Sequence, residues 1–208
     1  MFWQELGLRL SVGLVTLGVY WEAAYLAIGQ LEEQSSISVH YTEPDGHLLV
    51  AEAVGRLVKN LNRINRPTVV VCVGTDRSTG DALGPLVGTM LLKTPTVRFP
   101  VYGTLEQPIH ALNLADQLDF IRQRHFNPFI IAVDACLGRQ NRIGYINVKQ
   151  GAVLPGTALN KTLPAVGDIH ISGVVNVAGF LEHLVLQNTR LGLVFSMAEI
   201  IARGLSCF

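Results

Sequence analysis

Short runs of consecutive apolar residues along the chain predict strands that are buried on both faces of a sheet. Residues 68–73 and 129–133 form the clearest of these runs. Less continuous patterns predict further strands at residues 97–102, 144–148 and 167–171. The segments between these strands have a different, helical spacing of apolar residues, so strands and helices are expected to alternate.

Apolar residues at intervals of three and four predict the helices between the strands. One helix begins near Leu48, one ends near Lys93 and one spans residues 111–121. Ser172 is predicted to be the N-cap of a further helix, and the last helix spans residues 193–201. The alternation predicts an α/β fold with three layers, in which a mostly parallel sheet carries helices on both faces.

The first 36 residues differ in pattern, so the sequence divides into an N-terminal extension (1–36) and an α/β domain (37–208). Residues 10–21 carry no charge, but this run is shorter than the roughly 20 residues that a membrane-spanning helix needs. Neither a basic start nor a convincing cleavage site indicates a secretory signal. Three alternatives stay open: an accessory helix, a membrane-associated anchor through residues 6–28, or an extension that does not join the fold.

The composition is that of a folded protein without an electrostatic preference. Hydrophobic residues make up 49% of the 208 residues and charged residues 15%, which argues against disorder. Lys+Arg and Asp+Glu both number 16, so no net charge favours nucleic acid or an anionic surface. The three cysteines form no CxxC pair, which is typical of a reducing compartment and indicates a cytoplasmic protein.

Acidic residues lie next to three of the predicted strands: Asp76 and Asp81 after the first apolar run, Asp134 after the second, and Asp168 close to His170 in the last strand. The carboxyl ends of parallel strands converge on one crevice, where ligands of α/β domains bind. Two carboxylates a few ångström apart do not both ionise readily, so one can act as an acid and the other as a base. The pattern therefore predicts an aspartate-pair hydrolase.

Most of these polar residues also have a purely structural interpretation. Asp81 precedes a helix, where an acid caps the first turn and interacts with the helix dipole. His170 is equally typical of a hydrogen-bonded core histidine. Arg77 and Arg139 either neutralise the acids or bind substrate carbonyls. Asp134 is harder to explain structurally, because it directly follows a buried strand.

Other catalytic motifs do not fit the sequence. Five residues separate Gly74 from Gly80 and an aspartate follows, whereas a phosphate-binding loop needs four residues and then a lysine. Ser78 lacks the preceding glycine of a nucleophile elbow. Cys136 and His170 could pair as thiol nucleophile and base, although a cysteine just after a buried strand is more typical of packing.

Four segments together resemble the YyaC-type sporulation proteins of endospore-forming bacteria. The resemblance runs in order from about residue 37 to the C-terminus and leaves out the extension. The segments are VCVGTDRSTGDALGPLVGT, NPFIIAVDACLGR, GDIHISGVVNVAGF and LQNTRLGLV.

The resemblance implies a relation to the spore germination protease, an endopeptidase that degrades small acid-soluble spore proteins. The essential aspartates of that protease match Asp81 and Asp134 by motif. Both groups resemble the hydrogenase-maturation endopeptidases, whose phosphorylase/hydrolase-like α/β fold presents two acids and a histidine to a metal ion. Their histidine-bearing segment resembles the stretch around His170, which implies a metal-ligand role for His170 together with the two aspartates.

Two functions follow as hypotheses. The first is a sporulation-associated peptidase in which Asp81 and Asp134 are catalytic and Asp76, Arg77 and Arg139 bind a protein or peptide substrate. The second is a non-enzymatic sporulation protein that keeps the crevice to hold a peptide or a partner. Neither requires a cofactor, although a divalent metal at His170 is left open, as is a homo-oligomer. Nucleic acid is not expected as a partner, and the expected location is the cytoplasm of the sporulating cell or the forespore.

Overall fold

A six-stranded sheet forms the centre of the protein in a computed structural model, which describes residues 36–155 and 163–208. The order across the sheet is β1-β5-β6-β4-β2-β3. The strands are β1 (Ser36–His40), β2 (Thr68–Cys72), β3 (Val101–Tyr102), β4 (Phe129–Gly138), β5 (Tyr145–Gln150) and β6 (Ile169–Val177).

The sheet is mostly parallel, as the alternation of strands and helices predicts. β6, β4, β2 and β3 pair in parallel, whereas β5 runs antiparallel to both of its neighbours, β1 and β6. β2 and β4 are both interior strands with a neighbour on each side, which explains their continuous apolar sequences: side chains of both faces are covered. The carboxyl ends of these two strands therefore lie at the same edge of the sheet.

Helices cover both faces of the sheet, so the predicted three-layer α/β fold is confirmed. The helices are α1 (Gly46–Leu61), α2 (Leu83–Leu92), α3 (Leu114–Arg124), α4 (Glu182–Gln187) and α5 (Leu191–Cys207), with short 3-10 helices at Gly80–Ala82 and Gln140–Arg142.

Two separate cores, one on each face, follow from the alternation of side chains along a strand. On β4, Ile131 and Val133 belong to the core that α1, α2 and α5 cover. Ile130 and Ala132 point to the opposite face and belong to the smaller core that α3 covers. Any polar residue of β4 that lies on the same face as Ala132 is thus directed to the α3 side.

Two strands are longer than the sequence predicts. β4 continues for five residues beyond Val133, because β6 supplies pairing partners as far as Gly138. The predicted N-cap role of Ser172 is wrong: Ser172 lies inside β6, opposite Asp134. The valines that follow it are β-branched and continue the strand, and the helix comes only at Glu182–Gln187.

Other elements differ at the edges of the sheet. The strand predicted at residues 97–102 pairs only through Val101–Tyr102, and β1 was not predicted at all. The N-terminal extension, its possible anchor at residues 6–28 and the domain boundary fall wholly or largely outside the described residues, so they stay predictions. Within the described residues, none of the helices is long and apolar enough to cross a membrane.

Asp168 does not lie at the carboxyl edge with the other acids, because it directly precedes β6 at the amino edge of the sheet. One of its carboxylate oxygens accepts a hydrogen bond from the backbone N–H of Ile130 at 2.8 Å, and the other pairs with the guanidinium of Arg66. Arg66 in turn lies over the ring of Phe129, 5.0 Å from its centroid. Asp168 therefore ties the connections that lead into β2, β4 and β6 together.

Replacing Asp168 with alanine is expected to lower the free energy of unfolding by about 2 kcal/mol, because a partly buried charged hydrogen-bonding group is lost and Arg66 loses its partner. Urea denaturation measures the change. Asp119→Ala is the matched control, since Asp119 forms an exposed pair with Arg122 at 3.5 Å that contributes about 0–0.5 kcal/mol. Equal effects of the two substitutions would contradict the structural role of Asp168.

Candidate active site

The loop after β2 folds back on itself so that Asp81 returns to the end of the strand. The backbone N–H of Thr75 donates to the carbonyl oxygen of Asp81 at 3.2 Å, and that of Gly74 donates to Ile109 at 2.7 Å. Gly74 has a φ of +144°, and a Cβ atom there would overlap the Asp81 carbonyl oxygen. Only glycine allows this close approach, which accounts for Gly74 directly after the apolar run.

Asp81 is half-buried in the 3-10 helix Gly80–Ala82 that leads into α2. Asp81 does not cap α2, whose N-cap residue is Ala82, but it lies in the first turn of the 3-10 helix, where the interaction with the helix dipole still applies. Burial raises the pKa of the Asp81 carboxyl, and the nearby Ser78 hydroxyl lowers it in part. This hydroxyl is buried and forms no well-formed hydrogen bond with any described residue. It therefore lies close to Asp81 without the distance and angle of a good hydrogen bond.

Asp134 lies within β4, where strand alternation places it on the same face as Ala132. Its carboxylate accepts a hydrogen bond from the backbone N–H of Ala135 at 2.9 Å. Although the residue keeps some contact with solvent, burial of the carboxyl and, to a smaller extent, the negative charge of Asp81 raise its pKa to about 8. The hydrogen bond from Ala135 opposes this shift only in part.

The two aspartates face one cavity of about 320 Å³ at the carboxyl edge of the sheet. Burial raises the pKa of both carboxyls, and the pKa of Asp134 reaches about 8. Near neutral pH, Asp134 therefore keeps its proton. The cavity is lined by Val73, Gly74, Thr75, Arg77, Asp81, His110, Ala111, Leu112, Asp134, Pro155 and Leu163.

The other predicted site residues divide into one that lines the cavity and three that do not. Arg77 is exposed and places a cation at the cavity. Asp76 is exposed on the same loop but does not line the cavity. Arg139 follows the end of β4 and is exposed, away from the lining residues. His170 pairs with Ala132 and has its Nδ1 atom 2.8 Å from the carbonyl oxygen of Gly151, to which it donates.

The metal site predicted at Asp81, Asp134 and His170 is not assembled by the residues as they are placed. Across residues 36–155 and 163–208, no group of three or more His, Cys, Asp or Glu side chains is arranged to hold a metal ion. His170 is directed to the Gly151 carbonyl and does not line the cavity of the two aspartates. The metal site stays a prediction, and the chemistry below is derived from the side chains alone.

Cys136 does not have the properties of a catalytic thiol. Burial raises its pKa to about 11, and the Ser172 hydroxyl offsets this only in part. A thiol that keeps its proton near neutral pH is a poor nucleophile. Cys136 is therefore best explained as a packed residue of β4.

His110 lines the cavity, although the sequence pattern did not single it out. A parallel bridge between Val73 and Ile109 brings the residue that follows Ile109 to the end of β2. The sequence shows only a histidine after the turn at residues 103–108, and its distance from the two aspartates matches no known motif. The contact depends on a single bridge between two distant segments, which periodicity does not reveal.

Asp134→Asn is expected to stabilise the fold, and more so at high pH. The pKa of Asp134 is about 8 in the folded state against 3.8 for the free group, so the folded state holds a proton that the unfolded state has lost between these values. Stability from this group is thus complete below pH 3.8 and is lost as the pH rises toward about 8.

Because asparagine does not titrate, the gain is expected to approach about 2 kcal/mol, or roughly 4–8 °C in Tm, at pH 9 and to be small at pH 4. Thermal unfolding across this range measures it. The exposed Asp119→Asn is the control, and a gain independent of pH would contradict the raised pKa.

The comparisons with known proteins identify the family. The family described as "Protein of unknown function (DUF1256)" matches residues 39–204 of the chain. The chain belongs to the DUF1256 family. Within it, the protein named "Uncharacterized protein YyaC" of Bacillus subtilis (strain 168) is 57% identical over 141 residues, covering 68% of this chain and 69% of that protein. The resemblance to YyaC-type proteins is thereby confirmed.

One solved structure has a more distant likeness to this DUF1256 protein. It is the crystal structure of a NiFe hydrogenase maturation protease, HycI, from Thermococcus kodakarensis KOD1. The two are 19% identical, with 68% of this chain and 94% of the other covered, at a TM-score of 0.39. Because this score is low, the α/β assignment depends on the sheet order and the layers described above.

Proposed function

We propose that this DUF1256 protein is a peptidase of sporulating cells, in which Asp81 and Asp134 hydrolyse a peptide bond. The proposal depends on the position of the two carboxyl groups, which face one cavity. The raised pKa of Asp134, about 8, supports it. A buried pair whose pKa values differ can hold one proton between its members near neutral pH. That protonation state suits acid–base hydrolysis.

The reaction follows from these protonation states. The Asp81 carboxylate takes a proton from a water molecule as the water oxygen attacks the peptide carbonyl carbon, while the Asp134 carboxyl gives its proton to the carbonyl oxygen. The C–N bond of the resulting diol then breaks. The leaving nitrogen takes the proton from Asp81, and the second hydroxyl returns its proton to Asp134. One water is consumed, and both aspartates recover their starting states.

The walls of the cavity suit a short peptide segment with an apolar side chain. Leu112, Pro155 and Leu163 supply apolar surface, whereas Arg77 supplies a cation. A volume of about 320 Å³ is near the lower end of the roughly 300–1,000 Å³ that is typical of ligand pockets. We therefore expect the cavity to hold one apolar side chain and the adjoining peptide bond.

The test is cleavage of a peptide library at pH 7, followed by mass spectrometry. The full chain is expected to cleave a subset of peptides, and Asp81→Asn is expected to lower the rate by about 10²–10⁴-fold because the general base is lost. Asp119→Asn, an exposed acid on α3, should leave the rate unchanged. Undiminished cleavage by Asp81→Asn would exclude the proposed mechanism.

The alternative of a non-enzymatic receptor has a distinct outcome in the same experiment. The apolar part of the lining would favour peptide binding in either case, so binding alone does not separate the two functions. Peptides that bind the wild-type protein and are recovered intact, with binding lost on Leu112→Asp, would support the receptor and contradict the peptidase.

The link to sporulation derives from the resemblance to YyaC-type proteins rather than from the cavity. In an endospore-forming host that encodes the protein, replacing the natural gene by the Asp81→Asn variant is expected to reduce spore yield or slow germination. Normal spore yield and germination in that strain would contradict this part of the proposal, and the peptide assay would be unaffected.

A further inference from the structure

The turn that carries His110 is fixed on both sides. At its start, the carbonyl oxygen of Ile109 accepts the backbone N–H of Gly74 at 2.7 Å, so the turn is held against the loop that carries Asp81. At its end, the side chain of Asn113 accepts the backbone N–H of His110 at 2.8 Å and donates to the carbonyl oxygen of Pro108 at 3.0 Å. The backbone N–H of Asn113 also donates to the carbonyl oxygen of His110 at 3.1 Å.

One further hydrogen bond determines which nitrogen of the His110 imidazole carries the proton. The backbone N–H of Leu112 donates to Nδ1 of His110 at 3.3 Å. An atom that accepts a hydrogen bond does not itself carry a proton, so the neutral ring has its proton on Nε2. The Nε2 atom has no hydrogen-bond partner in the described ranges, and the half-buried ring lines the cavity of Asp81 and Asp134.

We propose that His110 is a further catalytic residue, whose Nε2–H donates a hydrogen bond to the substrate carbonyl oxygen as negative charge develops on it. This inference rests on the proposed peptidase function. His110 acts as a hydrogen-bond donor and does not transfer a proton, so the proton balance between the two aspartates is unchanged.

A neutral donor suits this position. An imidazolium would place a second N–H on Nδ1, opposite the N–H of Leu112, and would lose the hydrogen bond that orients the ring. A fixed N–H on a ring that lines the partly apolar cavity needs no reorganisation when negative charge develops on the carbonyl oxygen, which is the condition under which such donors act most strongly. His110 would stabilise the negative charge that develops on the carbonyl oxygen while the Asp134 carboxyl transfers its proton to that same oxygen.

Two amide variants separate a donor role from a structural one. The amide nitrogen of glutamine can occupy the position of Nε2, whereas that of asparagine reaches only the position of Nδ1. His110→Ala and His110→Asn are expected to lower kcat by about 10²–10³-fold with KM changed less than about threefold. His110→Gln is expected to retain at least about ten times more kcat than His110→Ala, and the exposed His183→Ala should retain full activity.

The kinetic outcomes distinguish this inference from the proposed function. If the wild-type protein cleaves and both aspartate variants do not, but His110→Ala keeps kcat within about threefold, then the role of His110 is wrong and the peptidase stands. If His110→Gln is no better than His110→Ala, the donor role is also wrong. If the wild-type protein cleaves no peptide, the proposed function fails and the inference fails with it.

The tautomer provides a measurement that is independent of activity. In ¹⁵N NMR spectra of the full chain labelled at histidine, assigned by comparison with His110→Gln, we expect the His110 ring at pH 7.5 to show a protonated Nε2 and an unprotonated Nδ1. A proton on Nδ1 would overturn the inference whether or not the protein cleaves peptides.

Discussion

Replacing Asp134 with asparagine is expected to lower kcat/KM for peptide cleavage by about 10²–10⁴-fold, because the amide cannot give a proton to the carbonyl oxygen. The size of the loss follows from the position of the carboxyl, which faces the same cavity as Asp81 and has a pKa of about 8. Steady-state kinetics at pH 7, with a peptide found in the library experiment, measures the change. The same variant is expected to melt at a higher temperature, so unfolding would not explain a loss.

Under the proposed mechanism, the pH dependence of cleavage by the wild-type protein gives a second readout of the same residue. Activity requires Asp134 in its protonated form, so kcat/KM should fall as the pH rises above about 8. It should also fall at low pH, where Asp81 becomes protonated and no longer acts as a base. A wild-type profile that keeps rising beyond pH 9 would contradict the role of Asp134 as the acid, even if Asp134→Asn were inactive.

Gly84→Ala is expected to destabilise the fold by at least about 4 kcal/mol or to prevent folding, a loss that only a severe backbone clash produces. Gly84 lies in the first turn of α2, where a Cβ atom would overlap the carbonyl oxygen of Val73 and lie 2.9 Å from its backbone nitrogen. Neither group can move without displacing the end of β2. Chemical denaturation, or the yield of soluble protein if the variant does not fold, measures the effect.

Gly55→Ala is the matched control for this prediction. Gly55 lies in the interior of α1, and the nearest atom to an added Cβ would be a ring carbon of Phe208 at 3.9 Å, an ordinary contact distance. Alanine is expected to stabilise this helix by about 0.5–1 kcal/mol. If Gly84→Ala also raised stability, the close packing of α2 on β2 would be wrong.

β2 and the first half of β4 could be predicted from the sequence because a strand that is buried on both faces consists almost entirely of apolar residues. Both faces of β2 and of the first half of β4 are covered, so every position after Thr68 in β2 and every position from Phe129 to Val133 in β4 is apolar. The second half of β4 has no such signature, since it begins with Asp134, and its extended backbone depends on partners from β6. The second half of β6 was predicted as a helix because its valines and the apolar residues after them match a helical spacing. Pairing with β4 and β5 makes this segment a strand instead.

The same distinction applies to the site. The location of Asp81 and Asp134 at one cavity could be predicted because Asp134 directly follows one apolar run and Asp81 lies on the loop after the other, and both runs end at the same edge of the sheet. Asp168 was misplaced because it directly precedes β6, which runs parallel to β4, and therefore lies at the amino edge of the sheet. His110 was missed because its position depends on a long-range bridge to Val73.

The position of Asp134 inside a central strand has a consequence for how the two acids move. Its backbone pairs with Ser172 of β6, and the ladder with β2 ends one residue earlier at Val133, whereas Asp81 is carried by a loop and one turn of 3-10 helix. Backbone amides near Asp134 should therefore exchange their hydrogens only on global unfolding, and those of residues 75–81 should exchange through local opening. Any change in the separation of the two carboxyl groups would then come from movement of Asp81 rather than of Asp134.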